Sequence, residues 1–196
     1  MSNDPYAAPS ANLENLTDSP VIPTKIMSAK GRLSVLSFLA HTLLLTLISF
    51  AVIAVLGGIG AAVTGFSIEN LASPESIDFS NPALIALVVL AAIAYIIMIV
   101  ISIIMMIKRI HDRNHSGWWV LALYVGLLIP FVNFVAILGM LYVVFWPGQK
   151  TGNRFGGPRP TSGWEKVLGI IYLVLIVGSI IAAFGLGGAA IMSVMS

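Results

Sequence analysis

Cysteine is absent from the 196 residues, which removes disulfides, thiolate nucleophiles and Cys-ligated metals together and leaves the redox compartment unmarked. Charge is nearly as scarce: Asp, Glu, Lys and Arg make up 9% of the chain, against about a quarter in soluble domains. With 58% hydrophobic residues and a mean hydropathy of +0.99, the composition excludes a soluble globular domain and predicts an integral membrane protein. Ten Lys and Arg against eight Asp and Glu leave a formal charge of +2. In a membrane protein that balance reflects loop charge, so nucleic acid is not expected as a partner. No basic residue precedes Lys25 and no apolar core lies before it, so the first residues do not read as a signal peptide.

What the chain does contain is long apolar runs. Residues 1–27 are polar and small, with Pro5, Pro9, Pro20 and Pro23, and read as a disordered tail. Residues 33–63 and 83–107 each exceed the roughly 20 residues that cross about 30 Å of hydrocarbon and are the first two predicted spans. Between them lies a connector with Glu69, Glu75 and Asp78 and no base. A last apolar run, 167 to about 190, is rich in Gly and Ala and is a further predicted span.

The stretch 118–146 is ambiguous, because Pro130 and Asn133 divide it into two pieces too short to cross singly. It is either one kinked span, giving four spans, or a re-entrant helical hairpin that returns to the side it left. The bases decide: Lys25, Lys30 and Arg32 precede the first span, Lys108, Arg109 and Arg113 follow the second, and Lys150, Arg154, Arg159 and Lys166 follow the ambiguous segment. Only a hairpin puts all ten on one side, as the excess of Lys and Arg on cytoplasmic loops requires. The expected fold is therefore an all-α polytopic membrane protein of three full spans plus one re-entrant hairpin, with a cytoplasmic N-terminus and an external C-terminus. No internal repeat is evident, so a transporter built of matched halves has no support.

The run Lys108-Arg109-Ile110-His111-Asp112-Arg113-Asn114-His115-Ser116-Gly117-Trp118-Trp119 resembles the signature of the domain of unknown function 805 family, small bacterial inner-membrane proteins. Gly31-Arg32-Leu33, Ile129-Pro130, Pro147-Gly148 and Asn153-Arg154-Phe155-Gly156 follow the family's order. The resemblance covers roughly residues 28–160, leaving 161–196 as an additional C-terminal helix. It implies a bacterial inner-membrane location and no reaction.

Several groups are candidates for chemistry. His111 and His115, four apart with Asp112 between them, have the spacing of a two-His metal site on one helix face, but Asp is too short to act as the zincin glutamate does. The plainer reading is a basic turn that binds the neighbouring loop, with Asp112 paired to Arg109, Arg113, Arg154 or Arg32. Gly148, Gly152, Gly156 and Gly157 with Lys150 and Arg154 lack phosphate-loop spacing; a lipid headgroup is the better anion for this surface. His41 is an ionisable residue inside the first span, near Thr42, Thr46 and Ser49, and so is a functional candidate. With no Asp, Glu, Lys or Arg inside the predicted spans, it lacks a partner for a proton relay. Small residues at every fourth position, Ala54, Gly58 and Ala62 in the first span and Ser179, Ala183 and Gly187 in the last, suit close helix packing within the chain or in a homo-oligomer.

No Ser-His-Asp set, carboxylate pair or nucleophile elbow is present, so no enzyme activity and no cofactor is expected. The reading that results is a non-enzymatic membrane component that binds lipid headgroups, anionic ones foremost, or a membrane protein partner on its cytoplasmic face. Its platform is Arg32, Arg109, His111, Asp112, Arg113, Trp118, Trp119, Asn153, Arg154 and Phe155. The alternative is an oligomeric small-solute or ion transporter with His41 and Asn133 near its path.

Overall fold

The computed structural model describes residues 20–23, 25, 27–65 and 80–195, with side chains up to 186. Its described residues form five helices: α1 (Val35–Thr64), α2 (Pro82–His111), α3 (Trp118–Leu128), α4 (Val132–Phe145) and α5 (Gly163–Met195). No strand is present among them. The three long helices are long and apolar enough to cross a membrane. The polar connector with Glu69, Glu75 and Asp78, and most of the expected tail, lie outside the described residues.

Local chemistry sets the helix ends. At the start of α1, the Ser34 hydroxyl accepts the Ser37 amide at 3.4 Å, an N-cap that begins the helix two residues after the apolar run does. Asn81 caps α2 by accepting the Ala83 amide at 2.9 Å, with Pro82 in the first turn, where its missing N–H costs nothing. At the other end of α2, Asn114 takes a left-handed conformation with φ 61°. The amides of Asn114 and His115 then bond back to the carbonyls of His111 and Ile110, at 2.9 and 3.3 Å. That pairing is a Schellman stop, so the helix ends before His115, and His111 and His115 do not share a helix face.

The ambiguous segment is a hairpin. Ile129 is extended ahead of Pro130 and Phe131 has φ 66°, which breaks the helix. Helices of 11 and 14 residues are about 17 and 21 Å long, too short to cross alone. They approach closely through glycines: a β-carbon at Gly126 would lie 3.1 Å from that of Ala136, and one at Gly139 would lie 2.8 Å from Leu123. The far end returns to the near one, since the Gln149 amide donates to the Asp112 carbonyl at 2.9 Å. A single kinked crossing would hold these two residues apart, and that alternative falls.

The chain divides into two compact units. One holds residues up to 38 and 105–162: the start of α1, the end of α2, the hairpin and the loop after it. Its apolar core includes Leu33, Phe38, Met106, Ile110, Val120 and Val143. Part of the expected tail is placed here, as the Gly157 amide donates to the Pro20 carbonyl at 3.1 Å and Ile22 packs over Gly31 and Gly156. The other unit holds the long apolar stretches of α1, α2 and α5, with large side chains such as Phe50, Ile53, Val88 and Phe184 facing outward. Such surfaces are stable where lipid replaces water. In α1 the stripe Ala54, Gly58 and Ala62 is exposed, with no atom within 4 Å of a β-carbon built at Gly58. The close approach in this unit is at Gly60 instead, facing Leu87 at 3.7 Å.

Candidate functional site

The first unit closes around Asp112, which is 6% exposed. Arg109, one turn earlier on α2, donates to its Oδ2 at 2.6 Å, and Arg32, just before α1, donates from Nε to Oδ1 at 3.0 Å. Both carboxylate oxygens are thus bound by fully buried guanidinium groups. Of the four bases that charge alone left open, Arg32 and Arg109 are the partners. Arg154 instead donates to the Asn114 carbonyl at 3.2 Å and covers Phe155, while Arg113 lies over Tyr142.

The remaining donors of the two buried arginines go to backbone carbonyls. Arg32 bonds to Thr151 at 2.8 Å, to Gly156 at 3.1 Å and to Gln149. Arg109 bonds to Leu33 and Val144, both at 3.3 Å, and to Trp146. The carbonyls of residues 144 and 146 lie at the C-terminal end of α4, where the last turn has no helical donors and a cation is favoured. A planar fork with five fixed donors suits this task, which a lysine ammonium cannot perform. Lys108, also buried, reaches the Lys25 carbonyl.

Glycines let the loop reach the acid. A β-carbon at Gly148 would fall inside the Asp112 carboxylate. Residues 153–156 form a tight turn in which Asn153 and Gly156 exchange backbone bonds at 3.1 and 2.9 Å and the Asn153 carboxamide accepts the Phe155 amide at 2.9 Å. Gly156 has φ 111°, a conformation side chains disfavour. The Asn153 side chain ties the turn to α2 by donating to the His111 carbonyl at 3.0 Å, and the His111 ring stacks on Phe155 with centroids 3.7 Å apart. Gly156 gives its carbonyl to Arg32 and Gly157 its amide to Pro20, so these two groups are turned inward and not toward an external phosphate.

The other predicted residues fall elsewhere. Trp118 and Trp119 are exposed at the start of α3, and Asn133 is exposed near the hairpin turn. His115 is exposed, and among the described residues no group of three His, Cys, Asp or Glu is placed to hold a metal. In the second unit, His41 is not alone. Its Nδ1 lies 3.7 Å from Oε1 of the fully buried Glu165, and its ring meets Trp164 at 5.3 Å. The expectation of no acid within the spans is corrected: α5 begins at Gly163, four residues before the apolar run, and carries Glu165 in its first turn. Thr46 and Ser49 bond to carbonyls of their own helix, as hydroxyls in apolar helices do.

Among the described residues, each Asp112 carboxylate oxygen accepts from an arginine. What this leaves is positive charge. Nine of the ten Lys and Arg belong to the first unit, where Asp112 is the one acid among the described residues. Lys108 and Gly148 were missed as parts of this junction, although both stand within the quoted motifs. Comparison with known proteins places the chain in a family: the family model described as "Protein of unknown function (DUF805)" matches residues 26–157, and the chain belongs to that family. No curated protein and no solved structure matches it.

Proposed function

We propose that this chain, a DUF805 member, is a non-enzymatic component of the bacterial inner membrane whose basic, cytoplasmic face binds anionic lipid headgroups. The observation that carries the reading is the charge imbalance of the first unit, nine bases to four acids, Asp4, Glu14, Asp18 and Asp112. Asp112 is consumed inside the junction, while Lys30, Lys150 and Arg154 are exposed. Each base near an anionic surface contributes about 1 kcal/mol of attraction, and the exposed Trp118, Trp119 and Trp146 are of the kind that settle at headgroup level. Native mass spectrometry of the protein extracted in mild detergent tests it. Phosphatidylglycerol should be retained over phosphatidylcholine, with a preference that weakens as salt rises. Equal retention of both overturns the reading.

Transport of a small solute or ion is the second reading, favoured by one observation, the His41–Glu165 pair. Ionisable groups within membrane helices are rare and mark pathways more often than surface charges do.

A further inference from the structure

Arg113 is the motif arginine that the junction does not consume. Its guanidinium sits 3.6 Å from the centroid of the Tyr142 ring. Nη1 reaches the Tyr142 carbonyl at a long 3.5 Å, and Nε is buried without an acceptor among the described residues. An arginine carries five N–H donors, so most of this one's capacity is unspent. Among the described residues no carboxylate answers it, because Asp112 is held by Arg32 and Arg109. Tyr142 and Trp146, with rings 5.8 Å apart, are 46% and 60% exposed and form an aromatic ledge at the C-terminal end of α4.

We infer that Arg113, seated on Tyr142 with Trp146 beside that ring, is a binding site for the phosphodiester group of an anionic membrane lipid. The inference rests on the headgroup reading above and narrows it to one place at the root of the hairpin. Three features fit that ligand. The planar fork matches two phosphate oxygens at once. The ring beneath it holds the plane in position, so little side-chain freedom remains to be lost on binding. The ledge of Tyr and Trp is amphipathic and lies where the glycerol and first methylenes of a lipid run beside its phosphate. Lys150 and Arg154 are exposed as well, but no ring lies beneath Lys150 among the described residues, and Arg154 is farther from its ring, 4.8 Å from the Phe155 centroid, and bonds to the Asn114 carbonyl at a shorter 3.2 Å.

The test compares sites. Full-length protein in mild detergent is titrated with phosphatidylglycerol, phosphatidylcholine and inorganic phosphate, and bound species are counted by native mass spectrometry. Wild type is set beside Arg113→Gln, Arg113→Lys, Lys150→Gln and Arg154→Gln, each checked by its melting curve. The expected result is that Arg113→Gln lowers phosphatidylglycerol affinity about tenfold or more. Lys150→Gln and Arg154→Gln should each lower it about fivefold or less, the effect of one diffuse surface cation. Arg113→Lys, which keeps the charge and loses the fork, should still bind several-fold more weakly than wild type, and it carries the test should the Gln variant melt early. Equal losses in the three Gln variants overturn the Arg113 site and leave the general headgroup reading standing, whereas no preference for phosphatidylglycerol overturns both. Displacement of the lipid by inorganic phosphate at equal concentration overturns a lipid as the ligand.

Discussion

Gly148 and Asp112 stand so close that a β-carbon on residue 148 would occupy the carboxylate of residue 112. The loop that leaves the hairpin can bring its carbonyls to Arg32 only because this position has no side chain. Gly148→Ala should therefore push Asp112 off one or both arginines, and leaving buried charges uncompensated typically costs about 3 to 5 kcal/mol. The expected outcome is a fall in melting temperature on the order of 10 °C in detergent. Gly163→Ala, at a position with nothing within 4 Å, is the control and should melt as wild type does. A Gly148→Ala protein that also melts as wild type would mean that the loop does not lie on the acid.

Asp112→Asn keeps the shape of the side chain and removes the charge that both arginines share. It should destabilise as strongly as Gly148→Ala, and the two changes combined should cost much less than their sum, because each breaks the same junction. Arg154→Gln is a contrast: its bonds are to one exposed carbonyl and one ring face, so the cost should stay near the roughly 0 to 1 kcal/mol of a surface interaction. Thermal melts of the three proteins decide it. Equal losses for Asp112→Asn and Arg154→Gln would show that the charges act as a diffuse cloud and not as a specific pair.

Much of this fold was legible because lipid enforces simple rules. Long uncharged runs become spanning helices, and the distribution of ten bases selected a hairpin over a kinked crossing. Tertiary choices were not legible in the same way. Asp112 had four bases in reach of a plausible turn, and only the path of the loop past Gly148 chooses Arg32 over Arg154. The His-x3-His spacing suggested a shared face, but a left-handed Asn114 ends the helix between the two. Every-fourth small residues drew attention to α1, whose stripe is exposed. The glycines that do pack, Gly126 and Gly139, face each other's helices across the hairpin and make no local pattern. Glu165 lies outside the predicted last span, because hydropathy rises only after Lys166. A helix start depends on capping and packing as well as on apolarity, and α5 begins early enough to carry the acid inward to His41.

The His41–Glu165 contact separates the two functional readings. His41 Nδ1 lies 3.7 Å from Glu165 Oε1, and His41 is only half-buried. His41→Gln, which keeps a donor and an acceptor but cannot titrate, should leave the melting temperature within about 3 °C of wild type. Glu165→Gln alters a fully buried acid in the first turn of α5, where negative charge is favoured, and should cost more. Complementation of a deletion strain supplies the functional arm. A headgroup-binding component should be rescued by His41→Gln, whereas a stable His41→Gln protein that fails to complement would favour transport.

The absence of cysteine gives the topology a clean test, since every introduced thiol reports alone. If the hairpin dips into the membrane and returns, His115→Cys and Gln149→Cys, both at exposed positions, must react with an impermeant reagent from the same side. Phe131→Cys, at the turn between two helices of about 17 and 21 Å, should react from neither side, because its position is 92% exposed in the chain and faces hydrocarbon. Positive-inside orientation adds the direction: in intact cells Ser76→Cys and Ser196→Cys should be labelled, and Ser2→Cys, His115→Cys and Gln149→Cys only after permeabilisation. Labelling of Phe131→Cys with its neighbours would place the hairpin on the surface instead of in the bilayer. Labelling of 149 from outside while 115 reacts only from inside would restore a crossing, and with it separate the Gln149 amide from the Asp112 carbonyl that it meets at 2.9 Å.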